Sequence, residues 1–298
     1  MAGIYIHIPF CKQACNYCNF HFSTNLGLQN DFTAALLKEI ELRIPYLNQE
    51  TVETIYFGGG TPSLMPVSAI RDILDSVYRN FTISPDPEIT LESNPDDMDP
   101  DRLEAWKKAG INRLSIGVQS FFEEDLNWMN RAHNAQQAIK AVQQVVSAGF
   151  DNFSMDLIYG LPGLTDEKWN ENLRKAIFLN PTHISCYALT VEPKTALYKM
   201  IQLKKTDDVE PDKQASQFLF GIQELEAAGF EHYEISSFAK PGRRSRHNSA
   251  YWQSKKYLGL GPAAHSFDGY SRQWNISNNA LYIKSLMAGQ LNIESENL

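Results

Sequence analysis

The stretch Tyr5-Ile6-His7-Ile8-Pro9-Phe10-Cys11-Lys12-Gln13-Ala14-Cys15-Asn16-Tyr17-Cys18-Asn19-Phe20 decides the reading of this 298-residue chain. Its first half alternates and is rich in β-branched residues, which predicts a strand over 3–8. Its second half is a C-x₃-C-x₂-C, three of the four cysteines within eight residues, with Cys186 alone. A disulfide framework would spread its cysteines differently, so the three read as a site. Three thiolates this close suit one corner of an iron–sulfur cluster, with one iron left open to a small molecule. The competing reading is a structural zinc completed by His7 or His21, although no second knuckle is present to pair with the first.

Outward from this stretch the strand pattern recurs. Beyond the cysteine loop, Phe32, Leu36, Leu37, Ile40 and Ile44 keep a helical spacing until Pro45. Strands are expected at 52–57, 88–93, 113–119, 153–158 and 183–189, with amphipathic helices at 68–80, 100–109, 135–148 and 166–179 between them. Six strand–helix units predict a parallel sheet with helices outside it, and six rather than eight predict an incomplete (β/α)6 barrel. After 189 the rhythm breaks. A polar connector over 191–211, a helix at 212–228, a strand at 232–236, a loop over 241–275 and a helix at 280–289 are expected. The expected division is a core at 1–210 and a C-terminal extension at 211–298.

Composition narrows the function. Hydrophobic residues at 43% supply a sizeable core, and a net charge of −8 disfavours nucleic acid as a partner. No apolar run approaches the ~20 residues that span a bilayer, and the N-terminus lacks a basic leader, so a cytoplasmic protein is expected. The polar residues gather at strand ends: Gly58-Gly59-Gly60-Thr61-Pro62, Glu92-Ser93-Asn94-Pro95, Gln119-Ser120 and Asp156. In (β/α) barrels the C-terminal ends of the strands form the working face. Glycines there admit a ligand close to the backbone and offer amide donors.

Cys11, Cys15 and Cys18 followed by an aromatic, with Gly58–Pro62, resemble the radical S-adenosylmethionine (SAM) superfamily. The strings 5–11, 92–95 and Gly117-Val118-Gln119-Ser120 narrow the resemblance to the oxygen-independent coproporphyrinogen oxidases and their haem-chaperone relatives, over nearly the whole chain. That resemblance implies a [4Fe–4S] cluster on Cys11, Cys15 and Cys18, whose open iron takes the amino and carboxylate groups of SAM. It implies SAM contacts at Tyr5, Gly59, Gly60, Thr61, Glu92, Gln119, Arg131 and Asp156. Arg131 suits the carboxylate, Glu92 or Asp156 the ribose hydroxyls, and the glycine amides the amino-acid end. One-electron cleavage of SAM to a 5′-deoxyadenosyl radical is the chemistry implied.

Two departures separate the chain from the oxidases. Phe20 stands where they carry a further cysteine, and the first cysteine is already residue 11. The chain instead carries the chaperones' H-N-x-x-Y-W pattern as His247-Asn248-Ser249-Ala250-Tyr251-Trp252. These features imply haem binding, in which His247 can ligate the iron and Tyr251 and Trp252 can pack against the macrocycle, with direct ligation by His247 left open. Arg243, Arg244 and Arg246 could meet propionates. Gly259 to Gly261 read as a turn, and Cys186 as a buried apolar residue. The expected function is a haem chaperone, with coproporphyrinogen oxidase as the alternative. Expected partners are haem-accepting proteins and an electron donor for the cluster. Peripheral membrane contact is allowed and the oligomeric state is open. The chaperones continue into a further small domain, before which this chain is expected to stop.

Overall fold

A computed structural model describes residues 2–298. The six expected parallel strands are present as β1 (Ala2–Ile8), β2 (Val52–Gly59), β3 (Ile83–Ser93), β4 (Arg113–Gln119), β5 (Phe153–Tyr159) and β6 (His183–Ala188). They run side by side in chain order, each parallel to the next. Between them lie α1 (Gln29–Leu42), α2 (Val67–Asn80), α3 (Pro100–Lys108), α4 (Glu123–Trp128), α5 (Ala135–Ser147) and α6 (Asp166–Phe178). The result is an incomplete (β/α)6 barrel, a curved wall that does not close.

One face of this wall is apolar: Ile4, Ile6, Ile55, Phe57, Leu91, Ile116 and Met155 are buried there, in one core with Phe32, Ile73 and Trp106 of the helices. The other face is polar. Thr90, Arg113, Ser115, Ser154, His183 and Ser185 are buried on it, where closed barrels of this type pack branched apolar layers. Strand alternation makes this division, since residues two apart share a face.

The connector after β6 contains α7 (Ala196–Gln202), followed by α8 (Pro211–Ala227). The expected strand at 232–236 is instead two short antiparallel strands, β7 (Glu231–His232) and β8 (Ser237–Ala239). They extend the sheet beyond β6. The expected loop over 241–275 is corrected more fully. It holds α9 (Arg246–Trp252) and the strands β9 (Lys256–Leu260), β10 (His265–Phe267) and β11 (Ser271–Asn275). Gly259 lies inside β9 and only Gly261, at φ +95°, makes the turn. β9 pairs parallel with β1, so the C-terminal part adds to the opposite edge of the sheet. Then come α10 (Asn279–Met287) and β12 (Ile293–Asn297), the outermost strand on that side.

A buried carboxylate joins this part to the wall. Glu39 of α1 accepts from the Gly261 amide at 2.8 Å, Asn275 Nδ2 at 2.6 Å and the Tyr282 hydroxyl at 2.5 Å. Burial raises its pKa even against these three donors. Among the described residues, no helix is long and apolar enough to cross a membrane.

Candidate functional site

The cysteine loop leaves β1 at Pro9 and is held on three sides. A backbone bridge joins Phe10 to Ser23, closing the loop on itself. Asn16 Nδ2 donates to Trp128 O at 2.6 Å, and Asn130 Nδ2 donates to Ala14 O at 2.7 Å. The Leu197 amide at the start of α7 donates to Asn16 O at 2.7 Å. Two segments with no periodic signature in the sequence, α4 and α7, therefore seat the loop.

Cys11, Cys15 and Cys18 are free thiols, partly open, and the side chains beside them come from the strand ends. Thr61 Oγ1 donates to Cys11 Sγ at 3.6 Å, and Arg131 Nη1 donates to Cys15 Sγ at 3.3 Å. Burial pushes the Cys11 thiol up to about 11, against the Thr61 bond, and also raises Cys18. Coordination removes such protons, because the thiolate is the ligand. Both histidines have other partners: His7 Nε2 bonds His21 O at 2.8 Å, and His21 Nε2 meets Asn279 Oδ1 at 2.7 Å. Among the described residues no three His, Cys, Asp or Glu side chains gather as ligands of a single ion.

Arg131 lies between the loop and the wall. Its Nη2 donates to Asn94 Oδ1 at 2.6 Å and Gly117 O at 2.9 Å. Burial alone would lower its pKa, yet Tyr17 and Cys15 beside it hold it above the usual range. Asn94 Nδ2 donates in turn to Thr61 Oγ1 at 3.3 Å. A Cβ at Gly117 would lie 3.0 Å from both Arg131 Nη2 and Gln119 Nε2, so these groups meet over that glycine. Gln119 itself has φ +65°.

Glu92 Oε1 accepts from the Tyr56 hydroxyl at 2.8 Å, and its Oε2 from the Gly59 amide at 3.1 Å. Burial raises Glu92 to about 7, with Asp156 adding to the shift. Asp156 accepts from Ser115 Oγ at 3.0 Å and Ser154 Oγ at 3.3 Å, and burial raises it too. Tyr5 stacks on Tyr56 at 6.1 Å between ring centroids, and its hydroxyl is 3.2 Å from His7 Nδ1. All eight residues expected at SAM thus stand on one polar face or its rim, with Thr61 and Arg131 touching the cysteines of the loop.

The glycine amides are a correction. The Gly59 amide is taken by Glu92, that of Gly60 donates to Ile8 O at 2.8 Å, and that of Thr61 donates to Phe10 O at 2.7 Å. These donors hold the cysteine loop onto β2 because the parallel β1–β2 pairing runs on past Gly59. Gly59 has φ +104° over the His7 ring, and a Cβ on Gly60 would meet Phe10 O at 2.6 Å. The glycines are needed for close backbone packing under the loop. Tyr56, which orients Glu92, escaped the sequence reading, and Asn94, which orients Arg131, was quoted there without a role. The signal for Tyr56 was position, one pleat before Gly58 on the same face of β2.

The rim suits a polar ligand. Gln119 Oε1 and Arg131 Nε are buried without a partner, and such groups in native proteins usually meet water or a ligand. Three soft thiols fit an iron–sulfur cluster. The arrangement can seat a cluster on the loop and a zwitterionic ligand between the loop, Arg131 and the carboxylates.

The haem-directed residues lie elsewhere. His247 is only 2% exposed, with Nδ1 2.7 Å from Thr54 Oγ1 and Nε2 3.0 Å from the Tyr251 hydroxyl. Burial takes its pKa down to about 3. Both ring nitrogens are engaged inside the protein, so the iron ligation by His247 that the sequence left open has no free nitrogen in this structure. Tyr251 is 40% exposed and Trp252 62% exposed, which leaves an aromatic surface on α9. Arg243, Arg244 and Arg246 each pair with an acid, at Asp151, Glu231 and Asp86. Phe20 is 65% exposed at the end of the cysteine loop, and Cys186 is buried in β6.

Comparison with known proteins agrees with this geometry. The family model "Radical SAM superfamily" matches residues 5–176. The chain is 41% identical over 267 residues to "Heme chaperone HemW" of Escherichia coli, covering 88% of this chain and 69% of the relative. It is 35% identical over 293 residues to the "Heme chaperone HemW" of Mycobacterium tuberculosis, covering 97% and 75%. Among solved structures, coproporphyrinogen III oxidase (HemN) from Escherichia coli superposes with a TM-score of 0.86 at 24% identity, over 100% of this chain and 71% of that one. That likeness carries the fold alone. The chain belongs to the radical SAM superfamily and, within it, to the family of the haem chaperone HemW.

Proposed function

We propose that this protein is a haem chaperone that holds a [4Fe–4S] cluster with SAM and passes haem to acceptor proteins. The relationship to HemW proteins over most of the chain is the observation that carries this reading. Cys11, Cys15 and Cys18 would hold the cluster, and Arg131 would pair the carboxylate of SAM while keeping its bond to Asn94. Glu92 and Asp156 would accept hydroxyl protons, with Gln119 Oε1 and Thr61 Oγ1 as further acceptors and Tyr5 along the ring face. Gly59 and Gly60 would serve by bringing the loop close to β2. When bound, the cluster and SAM supply one-electron chemistry, for which an electron donor is the matching partner.

Residues 1–210 would carry the cluster and SAM, and 211–298 the haem-facing segment, where Trp252 and the open side of Tyr251 offer aromatic surface to a macrocycle. The test pairs two measurements on the anaerobically reconstituted chain. Haem titration should give a saturable Soret shift, weakened in Trp252→Ala. Coproporphyrinogen III with reduced cluster and SAM should give no protoporphyrinogen IX. Turnover without saturable haem binding would replace this reading with the oxidase. Iron content should be lost in Cys11→Ala and kept in Cys186→Ala.

A further inference from the structure

α9 lies against the start of β2 and β3. The Arg246 and His247 amides donate to the two oxygens of Glu88, at 3.1 and 3.0 Å. This directs the His247 ring under the polar wall, into a space that exists because residue 3 is glycine. A Cβ there would stand 2.8 Å from Thr54 Oγ1 and 3.2 Å from His247 Cε1. With Thr54 on one nitrogen and Tyr251 on the other, the ring cannot turn without losing a buried hydrogen bond. Its face lies against Tyr56, 5.0 Å between centroids and 25° between planes. Tyr5 stacks on the same pair. Tyr56 is the residue whose hydroxyl donates to Glu92.

We propose that His247 is a positioning residue for the SAM site, holding Tyr56 so that its hydroxyl fixes the Glu92 carboxylate. This rests on the reading of Glu92 as a SAM contact. The imidazole, Tyr56 and Glu92 form one packed column from α9 to the rim. Removing the imidazole leaves a void beneath the Tyr56 ring, and the ring can settle into it and withdraw its hydroxyl from Glu92. Burial keeps the His247 ring neutral, so the stack on Tyr56 does not itself change charge across the neutral pH range.

The test measures SAM affinity by calorimetry on the reconstituted chain, in a double-mutant cycle. His247→Ala and Tyr56→Phe should each weaken SAM about tenfold, and the pair should be no worse than Tyr56→Phe alone, as expected for residues acting in series. Thr54→Val, which removes one bond to the ring at nearly constant volume, should weaken SAM about threefold and have no effect in the Tyr56→Phe background. On the unloaded chain, the near-ultraviolet circular dichroism band lost in Tyr56→Phe should also be lost in His247→Ala. Additive losses, or an unchanged affinity in both His247→Ala and Thr54→Val while Glu92→Gln weakens SAM, would overturn the proposal. Unchanged affinity in Glu92→Gln would instead overturn the reading of Glu92 as a contact, and this inference with it.

Discussion

Replacing Glu92 by glutamine removes the ionisation and keeps one carbonyl oxygen, which can accept from Tyr56 or from Gly59 but not from both. In the folded chain burial lifts this carboxyl from 4.5 to about 7, and Asp156 pushes the same way. Between those two values the folded protein keeps a proton that the unfolded chain has released, so stability falls as pH rises through this window. One pH unit corresponds to ~1.4 kcal/mol, which sets a ceiling of about 3 kcal/mol for the wild-type loss. The side chain is only partly covered at the mouth of the wall, and screening there brings the expected loss to about 2 kcal/mol. Urea unfolding of the metal-free chain at a series of pH values reads this directly. The lost acceptor gives the glutamine variant a constant offset, on top of which its stability relative to wild type should rise by about 2 kcal/mol between pH 5 and pH 8. Titrating groups remote from Glu92 contribute equally to both proteins and cancel in the difference, which therefore reports Glu92 together with Asp156, the carboxylate coupled to it. Parallel stability profiles would show that Glu92 ionises normally, and the case for a desolvated carboxylate beneath the glycine turn would fail.

Gly60→Ala forces a methyl against Phe10 O and Ile8 O, an overpacking worth about 1–3 kcal/mol; iron uptake on reconstitution should drop while far-ultraviolet circular dichroism stays unchanged. Arg131→Met strands Asn94 Oδ1 and Gly117 O and should weaken SAM binding by about 1.5–3 kcal/mol, so equal affinity by calorimetry would remove Arg131 from the site. Glu39→Ala leaves the Gly261 amide, Asn275 and Tyr282 without their shared acceptor. It should lower unfolding free energy by about 3 kcal/mol, and if thermal unfolding does not move, that carboxylate is not what joins α1 to the C-terminal strands.

The parallel wall was legible in the sequence because each of its strands carries a local period and is followed by a helix with its own. β4 begins and ends where alternation placed it, and the other five differ by a few residues at their ends. The cysteine loop stood out by its spacing, and the glycine turn, Glu92, Gln119 and Asp156 as residues unusual for the strands or strand ends that carry them, whereas Arg131, between α4 and α5, was named only through the family resemblance. The C-terminal part was not legible. α9, β9, β10 and β11 are short and rich in glycine, arginine and aromatics, and what holds them lies far off in sequence: Glu88 and Thr54 for α9, β1 for β9, and Glu39 for Gly261 and Asn275. No local pattern encodes such partners. The same distance hid the role of His247. In the sequence it is an imidazole beside two aromatics, a reasonable iron ligand. Only the folded chain brings Gly3, Thr54 and Tyr56 around it, so that burial and two hydrogen bonds turn it inward beneath Glu92 and leave Trp252 facing out.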